Sequence, residues 1–153
     1  MVDPRGQRFA AAVTTVVLAL ALLTASGRLL AAQAAVFAIG AFAGAQASPY
    51  SRVFATLIRP YLSPPTDYED ARPPRFAQAV GLACALAGVA GFWGGWPVLG
   101  YGAAGAAFAA AFLNAAFGFC LGCEIYLAFV RATNRQRNRA SNRATNSQME
   151  VTR

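Results

Sequence analysis

The chain has no histidine, no lysine and only three cysteines, Cys84, Cys120 and Cys123; all thirteen of its basic residues are arginine. Charge of either sign is scarce, with 12% of residues charged against 57% hydrophobic, where soluble domains carry roughly 25% charged residues. So little polar surface cannot cover a water-soluble globule of this size, which leaves a membrane protein as the class. The missing histidines and the short supply of thiols weigh against a structural zinc site, which takes four Cys or His ligands, and against an iron–sulfur cluster within one chain. Glu124 or Asn114 would have to complete such a set, and Asp67, Glu69 and Asp70 resemble a metal-binding cluster only loosely. No metal and no cofactor is expected. Nucleic acid is not expected as a partner either, because no aromatic residues interleave with the arginines to stack bases.

What is abundant is apolar sequence in long runs. They cover residues 9–25, 29–47, about 76–93 and 96–130, and a bilayer core about 30 Å thick takes about 20 helical residues per span. Short connections at Ser26 to Arg28 and at Gly94 and Gly95 pair the runs into two helical hairpins. Arg5 and Arg8 precede the first run, Arg52, Arg59, Arg72 and Arg75 lie between the hairpins, and Arg131, Arg135, Arg137, Arg139 and Arg143 follow the last. An even number of crossings between arginine clusters puts every cluster on one side. By the positive-inside rule that side is the cytoplasm, so the expected protein is multi-pass in the inner (plasma) membrane with both termini cytoplasmic. A signal peptide ending near the AAQA around Gln33 is the rival for the first run, but the charged leader and the later runs match a retained span. Residues 131–153 form a basic tail too polar to fold alone, predicted to be disordered with its arginines on anionic headgroups.

The chain also repeats itself. DPRGQRFAAAV, beginning at Asp3, and DARPPRFAQAV, beginning at Asp70, agree at seven of eleven positions without a gap, at an offset of 67 residues. This predicts a duplicated two-helix unit, with halves at about 3–66 and 70–130, in which Asp3, Arg5, Arg8, Asp70, Arg72 and Arg75 sit at headgroup level as structural or lipid-interface residues. Because each unit crosses twice, the copies would share one orientation, a parallel repeat about an axis along the membrane normal. The expected fold is therefore all-α: four transmembrane helices in a domain over residues 1–130, as two parallel-repeat hairpins. A short interfacial helix follows the second run, where Val53, Phe54, Leu57, Ile58 and Tyr61 fall at helical spacing.

Within the last run stands FGFCLGCEIY, with two thiols and a carboxylate among apolar residues. That run, 35 residues long, would make a straight helix of about 50 Å, longer than the hydrocarbon is thick, so a break, a strong tilt or a late start is required. Gly118 and Gly122 are the candidates. A C-x-x-C pair brings its sulfurs within reach of each other when the backbone turns suitably, a spacing used by dithiol redox sites and metal knuckles. The cytoplasm would keep the pair reduced, so a disulfide there would be transient. Glu124, beside Cys123, does not favour a neighbouring thiolate but can relay a proton; it is also placed to pair with a leader arginine. The candidate catalytic set is Cys120, Cys123 and Glu124, with Cys84 an additional thiol at similar depth. The competing reading is that cysteines merely pack among alanines and glycines. Gly40 and Gly44 form a G-x-x-x-G suited to close helix packing, and Trp93, Trp96 and Tyr101 suit an outer aromatic belt.

The leader DPRGQRFAAAV, the central SPYSRVFATLIRPYLSPPTDYEDARPPRFAQAVG and the late FLNAAFGFCLGCEIY together resemble an uncharacterised bacterial membrane family, domain of unknown function four-three-nine-five, common in actinobacteria. The resemblance spans about residues 1–130. It implies the topology and draws attention to the thiol pair, but brings no established activity. Members resemble, in size and in a late cysteine pair, small membrane proteins associated with thioredoxin-like proteins and rhodaneses. The expected function is thus a thiol-redox or sulfur-transfer component with a thioredoxin-like or rhodanese partner. The alternatives are a non-catalytic scaffold or subunit of a larger complex or homo-oligomer, and a transporter component with a polar path along Gln78, Asn114 and Glu124.

Overall fold

The computed structural model describes residues 2–63 and 70–151, with side chains as far as residue 137. Among the described residues six α-helices form: α1 (Pro4–Leu23), α2 (Gly27–Phe42), a short α3 (Pro49–Val53), α4 (Arg72–Trp93), α5 (Pro97–Phe117) and α6 (Leu121–Val151).

Local chemistry sets the boundaries. Asp3 caps α1 by accepting the Arg5 backbone N–H at 3.0 Å, with Pro4 in the first turn where its missing N–H costs nothing. Asp70, at the matching place before α4, accepts the Arg72 N–H at the same 3.0 Å, with proline again in the opening turn. Ser26 caps α2 through Leu29 N–H. The α5 helix stops at Phe117 because Gly118 turns left-handed, φ 70°, and returns its N–H to the Asn114 carbonyl at 3.0 Å while Phe119 reaches Leu113. Gly118 is the break that the long last run required; Gly122 lies inside α6 instead. The second apolar run also stops early, at Phe42 rather than at residue 47, because Gly44 adopts φ 101° and a 3₁₀ turn follows. Gly44 therefore contributes nothing to a G-x-x-x-G face: no atom approaches where its Cβ would be, whereas a Cβ on Gly40 would lie 2.7 Å from Gln78 Oε1.

Four helices close into a ring. α1 packs on α2 and α5, and α4 packs on the same two helices, so α1 stands diagonally from α4 and α2 from α5. The core is built mostly of small residues, Ala21, Ala34, Ala85, Ala104 and Ala107 around Leu18, Leu30 and Phe37. Large apolar side chains are turned outward, with Leu23 84% and Val98 86% exposed. Small residues inside and large ones outside is the arrangement of helices solvated by lipid, where association depends on close backbone packing. α1, α4 and α5 are each long and apolar enough to cross a bilayer. α2 is apolar but has 16 residues, about 24 Å at helical rise.

The leader arginines reach across the ring. Arg8 on α1 donates to the carbonyls of Ala115 and Ala116 at the end of α5, at 3.4 and 3.3 Å, and Arg75 on α4 donates to Ala41 and Phe42 at the end of α2, at 2.6 and 2.7 Å. Each guanidinium thereby answers carbonyls that a helix end leaves unpaired and meets the negative pole of that helix. Phe9 meets Phe54 with ring centroids 5.8 Å apart, and Phe76 meets Tyr126 at 5.7 Å, so the segment after each hairpin folds back on that hairpin's first helix. The first such segment is helical over residues 49–61, as its spacing predicts, with a π-turn at Phe54–Ile58 and a 3₁₀ turn at Arg59–Tyr61. The second becomes α6, which stays helical to Val151, through the polar stretch for which composition predicts disorder. Residues 131–137 are exposed throughout, so backbone hydrogen bonding rather than burial holds this part of the helix.

Candidate functional site

Leaving α5 at Gly118, the chain needs only three residues to enter α6 at Leu121, which makes Cys120 the residue that caps the new helix. Its carbonyl accepts the Glu124 N–H at 3.0 Å and its sulfur takes the capping position, accepting the Cys123 N–H at 3.3 Å. Cys123 follows one turn later, with 5.2 Å between the two Cα atoms, and the sulfurs are joined as a disulfide. The separation lies within the range a disulfide spans without moving the backbone. Where the sequence predicts a pair held as thiols, the structure holds the bonded form, because the tight turn and the helix start bring the two Cβ atoms together.

Two neighbours hold this turn. A Cβ built on Gly122 would lie 2.6 Å from the Cβ of Ala77, so α6 crosses α4 where only glycine permits contact. On the other side Arg8 binds the last carbonyls of α5, and its Cδ lies 3.8 Å from a Cβ built on Gly118. Arg8 is four residues into α1 and Ala77 five into α4, which sets the sulfur pair about 6 to 8 Å from the starts of these helices. Glu124 is exposed in the first turn of α6, where its charge suits the helix N-terminus. It does not take up the leader arginines: Arg5 pairs with Asp3 and the Ser63 carbonyl, and Arg8 and Arg75 go to helix ends. Arg72 is exposed, its backbone N–H held by Asp70. Asp67 and Glu69 lie outside the described residues. Among the described residues no group of three His, Cys, Asp or Glu side chains is placed to hold a metal.

Behind the pair lies a cavity of about 370 Å³, lined by α1, α4, α5 and the start of α6, with Phe37 of α2, Ala45, and Ser51 of α3 completing the wall. Cys120 lines it, and so does the free thiol Cys84. Cys84 is seven residues beyond Ala77 on α4, so it lies about 10 Å deeper than the contact with Gly122 rather than at the level of the pair. Gln78 and Asn114 also line the cavity, whereas Glu124 does not, so the three residues of a polar path do not come together.

Sequence reasoning missed a buried polar link. Gln33, 1% exposed, donates to Thr14 Oγ1 at 3.5 Å and accepts the Tyr50 hydroxyl at 2.9 Å, tying α1, α2 and α3. The available signal was an amide alone in an apolar run, a group that hydrocarbon does not tolerate without partners. Burial raises the Tyr50 phenol above its ordinary pKa.

The family described as Domain of unknown function (DUF4395) matches residues 2–131, and the chain belongs to it. No curated protein and no solved structure matches the chain.

Proposed function

We propose, taking membership of that uncharacterised family as the premise, that the protein is a thiol-redox or sulfur-transfer component of the inner (plasma) membrane. It works through Cys120 and Cys123 with a soluble thioredoxin-like or rhodanese partner. The observation that carries this reading is the placement of Cys120 at the cap of α6 with Cys123 bonded to it one turn on. In exchange with a dithiol partner, a partner thiolate attacks Cys123 Sγ, giving a mixed disulfide and releasing the Cys120 thiolate, which the helix N-terminus stabilises. The partner's second thiolate then displaces Cys123, leaving the pair reduced and the partner oxidised. With a persulfide-bearing partner, the Cys120 thiolate takes the outer sulfur and frees the partner's thiolate. Cys123 then attacks Cys120 Sγ, re-forming the disulfide and expelling hydrosulfide. Glu124, exposed beside Cys123, is assigned the proton transfer to that sulfur.

The topology belonging to this reading has four spans, α1, α2, α4 and α5, with both termini and the sulfur pair on the cytoplasmic side and the tail from residue 131 on anionic lipid. A duplicated two-helix unit with its axis along the membrane normal exchanges α1 with α4 and α2 with α5. The diagonal placement of these helices, the matching hydrogen bonds from Arg5 N–H to Asp3 and from Arg72 N–H to Asp70, and the crossed reach of Arg8 and Arg75 all support it.

The test is thiol labelling with mass readout on the chain in membranes. Cys120 and Cys123 should gain and lose label together as a reduced or oxidised thioredoxin-like protein is added, with Cys84 unaffected. A pair that does not respond, or full retention of a deletion phenotype's rescue by the Cys120→Ser, Cys123→Ser double variant, returns the cysteines to a packing role in a scaffold. An impermeant maleimide should label the reduced pair in inside-out vesicles and not in intact cells; labelling from outside the cell overturns the topology.

A further inference from the structure

We infer that the cavity behind Cys120 binds the ring of a membrane-soluble quinone, and that this quinone is the electron acceptor of the reduced Cys120–Cys123 pair. The inference rests on the redox reading above and adds to it the second substrate. Its volume, about 370 Å³, is that of a small-molecule site. Not one charged side chain lines it. The polar side chains that line it, Gln7, Thr14, Ser51, Gln78 and Asn114, are all neutral, so an anion would lose its hydration with no cation to pair with, which disfavours thiosulfate, hydrosulfide and phosphate. Val80, Leu121 and Ile125 line the cavity and are also exposed on the flanks of α4 and α6. The space therefore opens sideways toward lipid, the medium from which an apolar ligand arrives.

Polarity is confined to a few groups. Gln78 and Asn114 stand near the inner ends of α4 and α5, on the same side of the bundle as Cys120, while Phe37 and Cys84 line the cavity farther in. Gln78 Oε1 itself lies against Gly40 on α2, outside the cavity lining. A quinone suits side-chain amides in both redox states: its carbonyl oxygens accept from an amide NH₂, and the hydroxyls of the hydroquinone donate to an amide oxygen. The thiols also divide. Cys120 lines the cavity and Cys123 does not, which leaves Cys123, with Glu124 beside it, to the aqueous partner.

The chemistry balances between these two substrates. The Cys120 thiolate adds to a quinone ring carbon, forming a C–S bond. The Cys123 thiolate then attacks Cys120 Sγ; the S–S bond forms, the C–S bond breaks, and its electron pair returns to the ring. Two electrons have left the dithiol, and the two protons of the thiols end on the ring oxygens as hydroquinone.

The experiment uses the full chain in lipid nanodiscs, reduced and freed of reductant, then mixed with decylubiquinone or menaquinone-2. Hydroquinone absorbance and free thiols are followed together, with exchange against a thioredoxin-like protein measured on the same samples. One hydroquinone should form per two thiols lost, at a rate that saturates with quinone. Ala110→Leu, which fills the cavity, should lower that rate at least tenfold; Gln78→Leu should raise the half-saturating concentration about tenfold; Cys120→Ser should abolish the reaction. Circular dichroism shows whether Ala110→Leu folds, and Gln78→Leu carries the test alone where it does not. Oxidation that rises without saturation and is indifferent to both substitutions, as expected of a cavity holding only acyl chains, overturns the inference. If exchange persists in that case, the redox reading stands without the quinone; if exchange is absent as well, both fall.

Discussion

Where α1 and α2 are tied through the side chains of Thr14 and Gln33, α4 and α5 meet backbone to backbone, with Gly91 set against Gly100. The residues 67 positions after Thr14 and Gln33 are Gly81 and Gly100, so both partners of the polar link are glycines in the second hairpin. Gly81 receives the ring of Phe37, with a built Cβ 3.0 Å from it, and Gly100 receives Phe92 and the α4 backbone. The starts of the two hairpins are alike: in each an Asp accepts the N–H of the Arg two residues on, and each sends an arginine to the opposite hairpin. The interiors have taken different solutions to the same problem of holding two helices together in lipid, one by a hydrogen bond and one by close approach. The difference continues beyond the hairpins. After α2 comes a short helix that delivers Tyr50 to Gln33, and after α5 comes the turn that delivers Cys120 to the cavity.

The comparison breaks first, if it breaks, at the glycine contact. Gly100→Leu drives a side chain into Phe92 and Gly91 and should cost about 3 kcal/mol, read from thermal unfolding in detergent; a loss below 1 kcal/mol would mean that α4 and α5 are not held by close approach. The arginines come next. Removing a charge-assisted hydrogen bond costs about 1.5 to 3 kcal/mol, and Arg75 makes the shorter pair of bonds, so Arg75→Ala should cost about 2 kcal/mol and Arg8→Ala about 1 kcal/mol in the same assay. Equal losses would argue that the two crossings are equivalent in energy as well as in form. For the polar link, Tyr50→Phe leaves Gln33 Oε1 buried without its donor and should cost about 1 kcal/mol. A double-mutant cycle with Gln33→Leu should show coupling of similar size, and additive losses would remove the link from the account.

The smallest effect is a pH dependence confined to the first hairpin's side of the molecule. Burial holds Tyr50 neutral above its ordinary pKa of 10.0. In the unfolded chain the phenol ionises near that value, so the stability Tyr50 contributes is complete below pH 10 and declines as pH rises toward the raised folded value. Tyr50→Phe should flatten that part of the stability profile; an unchanged profile assigns the loss to other groups.

Much of this was legible in the residues. Long apolar runs separated by arginines announce helices in lipid, since a hydrocarbon medium accepts only backbones that satisfy their own hydrogen bonds. The repeated leader announces two like helix starts, though that its aspartates accept the N–H of the arginine two residues on was not read from it. The length of the last run calls for a break, a tilt or a late start, with Gly118 and Gly122 as the candidate breaks, and the thiol pair stands out against a background of alanine; only the left-handed φ of Gly118 decides between the two glycines. Other features were not legible. That Gly44 is a turn and not part of a packing face depends on its φ, which spacing alone does not reveal. That Arg8 and Arg75 bind helix ends across the ring depends on which helices become neighbours, and the same applies to the depth difference between Cys84 and Cys120.

The sequence by itself determined the apolar helices, their order and their fitness for a hydrocarbon medium, because these follow from local hydrogen bonding and from the transfer of side chains between water and hydrocarbon. Only the tertiary structure decided which helices stand diagonally, that Gln33 is answered by Thr14 and Tyr50, and that the sulfur of Cys120 closes one end of a neutral cavity. Those outcomes depend on contacts between residues far apart in the chain, and no local preference encodes the distance between them.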